Sequence, residues 1–169
     1  RKATVLAFEP MCSNYDVLNR NIFLNRLDER VSAFNVALHD RMTISHLHLS
    51  DFVPGKAGHG FEHKTDSQDN PVGSVYRQGM IGIDLDTSIT RFDAPVPNHI
   101  KIDVDGNEPL IVEGMRETLR DPRLRTVAVE IDPDGQEGDR RAKEQIIAAG
   151  FRPLEDERYI NRLYAYYTN

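Results

Sequence analysis

Three acidic residues crowd around a glycine in Asp103-Val104-Asp105-Gly106-Asn107-Glu108, directly after the apolar run Ile100-Lys101-Ile102. Carboxylates gathered this way can ligate a hard cation through oxygen, attack phosphorus, or orient and deprotonate a hydroxyl. Ile100, Ile102 and Val104 fit a buried strand. Asp103 and Asp105 then stand near the carboxyl edge of a sheet, where open α/β folds bind their ligands. Two further apolar runs end in acid: Thr4-Val5-Leu6-Ala7-Phe8 runs into Glu9, and Thr126-Val127-Ala128-Val129 into Glu130.

Metal ligation is the weakest of these chemistries here. The acidic cluster lacks EF-hand spacing, because the glycine required at the sixth position falls at Glu108. His59 and His63 flank Glu62 at helical spacing, but Gly58 and Gly60 oppose a helix, and the metalloprotease motif needs glutamate directly after its first histidine. Those two, with His46 and His48, are expected to be solvated. Cys12 is the only cysteine, which excludes a disulfide within the chain and a cysteine-based zinc site. No metal site is expected.

The elements that must position the acids follow from pattern. A first strand, Thr4 to Phe8, stops at Glu9-Pro10 because proline cannot extend it. Ser13 or Asn14 can cap a helix with Tyr15, Leu18, Ile22 and Leu27 on its apolar face, ending near Leu27. Val31 to Leu38 and Ile44 to Leu49 read as strands joined by the polar turn His39-Asp40-Arg41, as in a hairpin. Pro54 to Ser74 has the composition of a long loop. Met80 to Leu85 is a short strand, followed by a proline-containing connection to the strand Ile100 to Val104.

Pro109 suits the first turn of a helix, and Ile111, Met115 and Leu119 continue it at a spacing of four. After the strand Thr126 to Ile131, Ala142, Ile146 and Ala149 share a helix face that Gly150 terminates. Phe151 to Glu155 and Arg162 to Tyr167 form an antiparallel pair around a charged turn, with Tyr164, Tyr166 and Tyr167 packing on the sheet. Strands alternating with helices predict an α/β protein, with a mostly parallel sheet covered by helices on both faces and a C-terminal antiparallel strand pair.

Composition bounds the partners. The chain has 169 residues, 39% hydrophobic and 28% charged, which suits a single globular domain. A formal charge of -6 opposes nucleic-acid binding. No apolar run approaches the roughly 18 residues of a membrane span, and Glu9-Pro10 interrupts what would otherwise imitate a signal peptide. The expectation is a cytoplasmic protein without membrane or nucleic-acid partners.

Together, Ala7-Phe8-Glu9-Pro10, Asn35-Val36-Ala37-Leu38, Asp84-Leu85-Asp86, Lys101 through Glu108 with Gly114, then Val129-Glu130 and Ala149-Gly150-Phe151, resemble the FkbM-type S-adenosylmethionine-dependent methyltransferases. The resemblance covers nearly the whole chain and implies a Rossmann-like class I methyltransferase fold. The family places a first strand and a glycine-containing cofactor loop ahead of the strand ending in Glu9. Residues 1–169 are accordingly expected to form one methyltransferase-like domain lacking that part at its N terminus.

The resemblance also implies roles. Glu9 would accept hydrogen bonds from the cofactor ribose hydroxyls, and Asn35, Val36 and Ala37 would flank the adenine. Asp103, assisted by Glu130, would face the acceptor, where a carboxylate can orient or deprotonate a hydroxyl. Asp105 and Glu108 fit shaping the turn and helix start as well as they fit chemistry. The implied reaction is O-methylation of a sugar or natural-product hydroxyl on a small-molecule or glycan acceptor. Two alternatives stay open. Asp103-Val104-Asp105-Gly106 also resembles the start of haloacid-dehalogenase-type phosphotransferases, and the chain also fits a non-catalytic binding domain on the methyltransferase fold.

Overall fold

The computed structural model describes residues 3–56, 58–62, 73–104, 106–130, 137–154 and 165–169. It is a mixed α/β fold whose chain divides into two compact units, Arg1–Leu38 with Thr43–Gly82 and His39–Met42 with Ile83–Asn169.

In the first unit, β1 (Val5–Phe8) lies parallel to β2 (Val31–Phe34), with Phe8 opposite Phe34 and their rings stacked at 5.6 Å. Helix α1 (Cys12–Leu24) connects them, as a crossover between parallel strands requires. Its cap differs from expectation. Met11, not Ser13 or Asn14, holds the N-cap position and makes no side-chain cap, while the Glu9 carboxylate accepts the Met11 N–H at 2.9 Å. The helix ends at Leu24 rather than near Leu27, where Asn25 caps it and Arg26 turns into positive φ.

The expected strand from Val31 to Leu38 is broken. β2 stops at Phe34, and β3 (Ala37–Leu38) joins another sheet of order β3-β6-β4-β5, with β4 at Thr43–Leu49, β5 at Gly60–Phe61 and β6 at Tyr76–Ile83. The hairpin expected between Val31–Leu38 and Ile44–Leu49 does not form, because β6 lies between β3 and β4 and takes the full length of β4 in antiparallel register. Part of the expected loop is also ordered as strand, since Phe61 is only 2% exposed and pairs with Leu47. Met11, Ala37, Leu47, Leu49, Phe61 and Met80 form this unit's core.

In the second unit, Asp84 follows the end of β6 and caps α2 (Leu85–Phe92), accepting the Thr87 N–H at 2.7 Å. That helix takes Leu85 from the expected strand and occupies much of the expected connection. β7 (His99–Ile102) runs parallel to β8 (Thr126–Val129), and β10 (Ala165–Thr168) pairs antiparallel with both β8 and β9 (Arg152–Pro153), as expected of the C-terminal pair. The helix expected after Pro109 is two short ones, α3 (Glu108–Glu113) and α4 (Arg116–Arg120), broken at Gly114-Met115. α5 (Glu137–Ala148) buries Ala142 and Ile146, and Gly150 follows at φ 100. Among the described residues, β1–β2 and β7–β8 pair in parallel while β4–β5, β4–β6, β8–β10 and β9–β10 pair antiparallel, so the sheets are mixed rather than mostly parallel.

Candidate functional site

The first unit carries one of the expected acidic strand ends and the second carries two. In the first, Glu9 follows β1 directly, its N–H bound to the Phe34 carbonyl at 3.0 Å and its Oε1 to the Met11 N–H. Asn35 Nδ2 donates to the carbonyls of both Glu9 and Pro10, at 2.8 and 2.9 Å. Gln78 bridges from β6, donating to the Pro10 carbonyl at 2.8 Å and accepting the Cys12 N–H at 3.0 Å. The Glu9-Pro10 corner is therefore held from two sides. Sequence gave no sign of Gln78, a polar residue inside a strand. Of the residues expected to flank adenine, Asn35 has its amide protons on this corner, Val36 is half-buried, and Ala37 lies in the core.

In the second unit, Asp103 and Glu130 come one residue after the register pair Ile102 and Val129, so they extend adjacent parallel strands. The Glu130 N–H donates to the Ile102 carbonyl at 3.1 Å, continuing the ladder by one rung. Asp103 is exposed, and Lys101 Nζ lies 2.6 Å from its Oδ2. The chemically distinctive residue is Glu108, only 4% exposed, whose Oε1 accepts the Val104 N–H at 3.1 Å.

Burial pushes the Glu108 carboxyl up from 4.5 to about 8. Its own N–H and that of Val104 oppose the rise, the Glu130 charge adds to it, and the Gly106 N–H opposes it again. Desolvation wins because a carboxylate loses more hydration on burial than a few backbone donors return. An acid just before a helical proline was the only sequence signal for this residue. Gly106, at φ 100, supplies the left-handed conformation expected of the turn, and Asp105 lies outside the described residues.

Other pieces of the motif serve packing. The Asp86 carboxylate accepts the N–H groups of Glu117 and Thr118 at 2.9 and 2.8 Å and the Thr118 hydroxyl at 2.6 Å, fixing the start of α4. A Cβ at Gly114 would stand 2.1 Å from the His39 carbonyl oxygen, so only glycine fits there. Of the histidines expected to be solvated, His46 is exposed, while His48, opposite Gly60 and Arg77 in the middle strand of β6-β4-β5, is only 6% exposed. His63 and Tyr164 lie outside the described residues. Among the described residues, no three His, Cys, Asp or Glu side chains gather closely enough to hold a metal ion, and no helix is long and apolar enough to cross a membrane.

Glu9, Asp103 and Glu130 each stand directly past the carboxyl end of a parallel-paired strand in a mixed α/β fold, the edge at which open α/β sheets place their ligands. Residues 1–153 match the family model of the methyltransferase FkbM domain, and the chain belongs to that family. Its fold is similar to the crystal structure of methyltransferase FkbM from Methylobacillus flagellatus KT, with a TM-score of 0.59 and 13% identity over 98% of this chain. The chain spans 36% of the length of that structure. No curated protein matches it.

Proposed function

We propose that the chain is the FkbM domain of an S-adenosylmethionine-dependent methyltransferase acting on a hydroxyl oxygen of a small-molecule or glycan acceptor. The observation that carries this reading is family membership over residues 1–153. A Rossmann-like class I arrangement over one domain, residues 1–169, belongs to the same proposal, and the parallel pairs β1–β2 and β7–β8 support it. A cytoplasmic location and the lack of nucleic-acid or membrane partners are also part of the proposal, the charge of -6 opposing nucleic acid.

Glu9 suits the ribose of the cofactor. Its Oε1 is set by the Met11 N–H, and a carboxylate's two oxygens offer about four lone-pair sites, enough to take hydroxyl donors as well. Asn35, Val36 and Ala37 are the residues we assign beside the adenine, Asn35 chiefly by holding the corner that presents Glu9. When bound, the cofactor supplies an electrophilic methyl group on a sulfonium. Asp103 would orient the acceptor hydroxyl and take its proton, with Glu130 beside it and Lys101 holding the Asp103 carboxylate in place.

Calorimetry of the full-length protein with S-adenosylmethionine and with its demethylated product tests the reading. Binding is expected, weakened about tenfold in Glu9→Gln, which can still accept the Met11 N–H but has lost one acceptor and the charge. Absence of binding by the folded wild type at millimolar ligand sinks the proposal. Magnesium-dependent phosphate release that disappears in Asp103→Asn would establish the phosphotransferase instead. Cofactor binding with no turnover across a broad acceptor panel would leave a binding domain.

A further inference from the structure

Asp103 lies between two fastened peptide groups. On its N-terminal side, the Ile102 carbonyl accepts the Glu130 N–H at 3.1 Å, which fixes the Ile102–Asp103 plane. On its C-terminal side, the N–H of the Asp103–Val104 peptide donates to Glu108 Oε1, also at 3.1 Å. Because each peptide is planar, holding the groups on both sides fixes the φ and ψ of Asp103 and hence the direction of its Cβ. β7 ends at Ile102, so the sheet itself secures only the first of these planes.

We infer that Glu108 is a positioning residue, whose buried carboxyl reaches back from the first residue of α3 to lock the peptide after Asp103 and so aims the Asp103 carboxylate. This rests on the proposed role of Asp103 for its functional meaning. The geometry explains why an ionisable side chain occupies a buried place. A hydrocarbon there would leave the Val104 N–H without its carboxyl acceptor, and an aspartate is one methylene shorter. Pro109 follows directly and holds φ near its helical value, so the backbone from which Glu108 reaches is itself constrained. Lys101 then acts on the far end of the same side chain, drawing the Asp103 carboxylate to one side at 2.6 Å.

The test uses amide hydrogen exchange and carboxyl-carbon NMR on the full-length protein without cofactor or acceptor, so it can fail independently of the methyltransferase reading. Glu108→Leu is expected to speed exchange at Val104 by about tenfold, the worth of one hydrogen bond, and to move the Asp103 carboxyl resonance. Val127 and Ile146, in β8 and α5, should keep their wild-type protection. Glu108→Gln retains a carbonyl acceptor and should restore both Asp103 and Val104 towards wild type. Should the leucine variant not fold, Glu108→Asp replaces it, with the same shifts expected from its shorter reach. Wild-type exchange at Val104 in the folded leucine or aspartate variant, or an unmoved Asp103 resonance, would overturn the inference, as would a folded glutamine variant that fails to restore them.

Discussion

Lys101 Nζ stands 2.6 Å from Asp103 Oδ2, the lysine within β7 and the aspartate one residue past its end, with both side chains substantially exposed. A pair of this kind adds little to folding, on the order of 0–1 kcal/mol, because water already solvates both charges. Its value lies in direction. Asp103→Asn should keep thermal stability and S-adenosylmethionine affinity near wild type while lowering methyl transfer by about 10²- to 10⁴-fold, the usual worth of a general base. Steady-state kinetics beside a melting curve measures both. Full activity in the asparagine variant would remove Asp103 from the chemistry.

The buried Glu108 makes stability depend on pH in an uncommon direction. Its carboxyl, pushed up to about 8 from 4.5, binds a proton more tightly in the folded chain than in the unfolded one. Its contribution is therefore fully present below about 4.5 and is lost as pH rises through about 8. At about 1.4 kcal/mol per pH unit the loss across that window is on the order of 2–5 kcal/mol, local relaxation lowering the upper figure. Glu108→Gln, with no charge to bury, should flatten this part of the profile and be the more stable protein above pH 8. Urea melts of both proteins across the window provide the comparison, and parallel profiles would contradict the assignment.

The strands that end in Glu9, Asp103 and Glu130 were legible because an apolar run halted by acid is a local pattern. The same holds for the α5 face of Ala142 and Ile146, closed by Gly150. What escaped the sequence depended on distant partners. The break after Phe34 exists because Ala37 finds β6 instead of continuing beside β1, and β6 in turn separates β3 from β4. Helix α2 was hidden in Leu85-Asp86-Thr87-Ser88, whose polar residues suggest a loop until Asp84 is seen capping it and Asp86 holding α4. Glu108 could be placed at a helix start, but its burial comes from packing that no local window contains.

Asp86 and Gly114 belong to the motif through packing, and their variants should separate folding from chemistry. Asp86→Ala removes a carboxylate that takes two N–H groups and a hydroxyl at the start of α4, at a cost of about 2 kcal/mol. Gly114→Ala forces a Cβ to within 2.1 Å of the His39 carbonyl oxygen, and about 3 kcal/mol or more of strain is expected. In urea titrations the midpoint should fall with little change in slope. S-adenosylmethionine affinity, measured where each variant is still folded, should stay within about threefold of wild type. A selective loss of affinity at wild-type stability would instead place these residues at the cofactor.

Asn35 distinguishes two ways of serving a cofactor. Both of its amide donors go to backbone carbonyls, those of Glu9 and Pro10, so its contribution is to hold the corner from which Glu9 projects. Asn35→Asp keeps the shape but sets carboxylate oxygens against two carbonyl oxygens, turning attraction into repulsion. The bonds are solvent-exposed, so the stability lost should be modest, about 1 kcal/mol. If holding the corner is its role, the aspartate variant should weaken S-adenosylmethionine and adenosine by similar factors, and adding Glu9→Gln should cost less than the sum of the single effects, because both changes would disturb the ribose contact proposed for Glu9. A variant that loses adenine affinity and leaves the Glu9 effect fully additive would show Asn35 contacting the base directly.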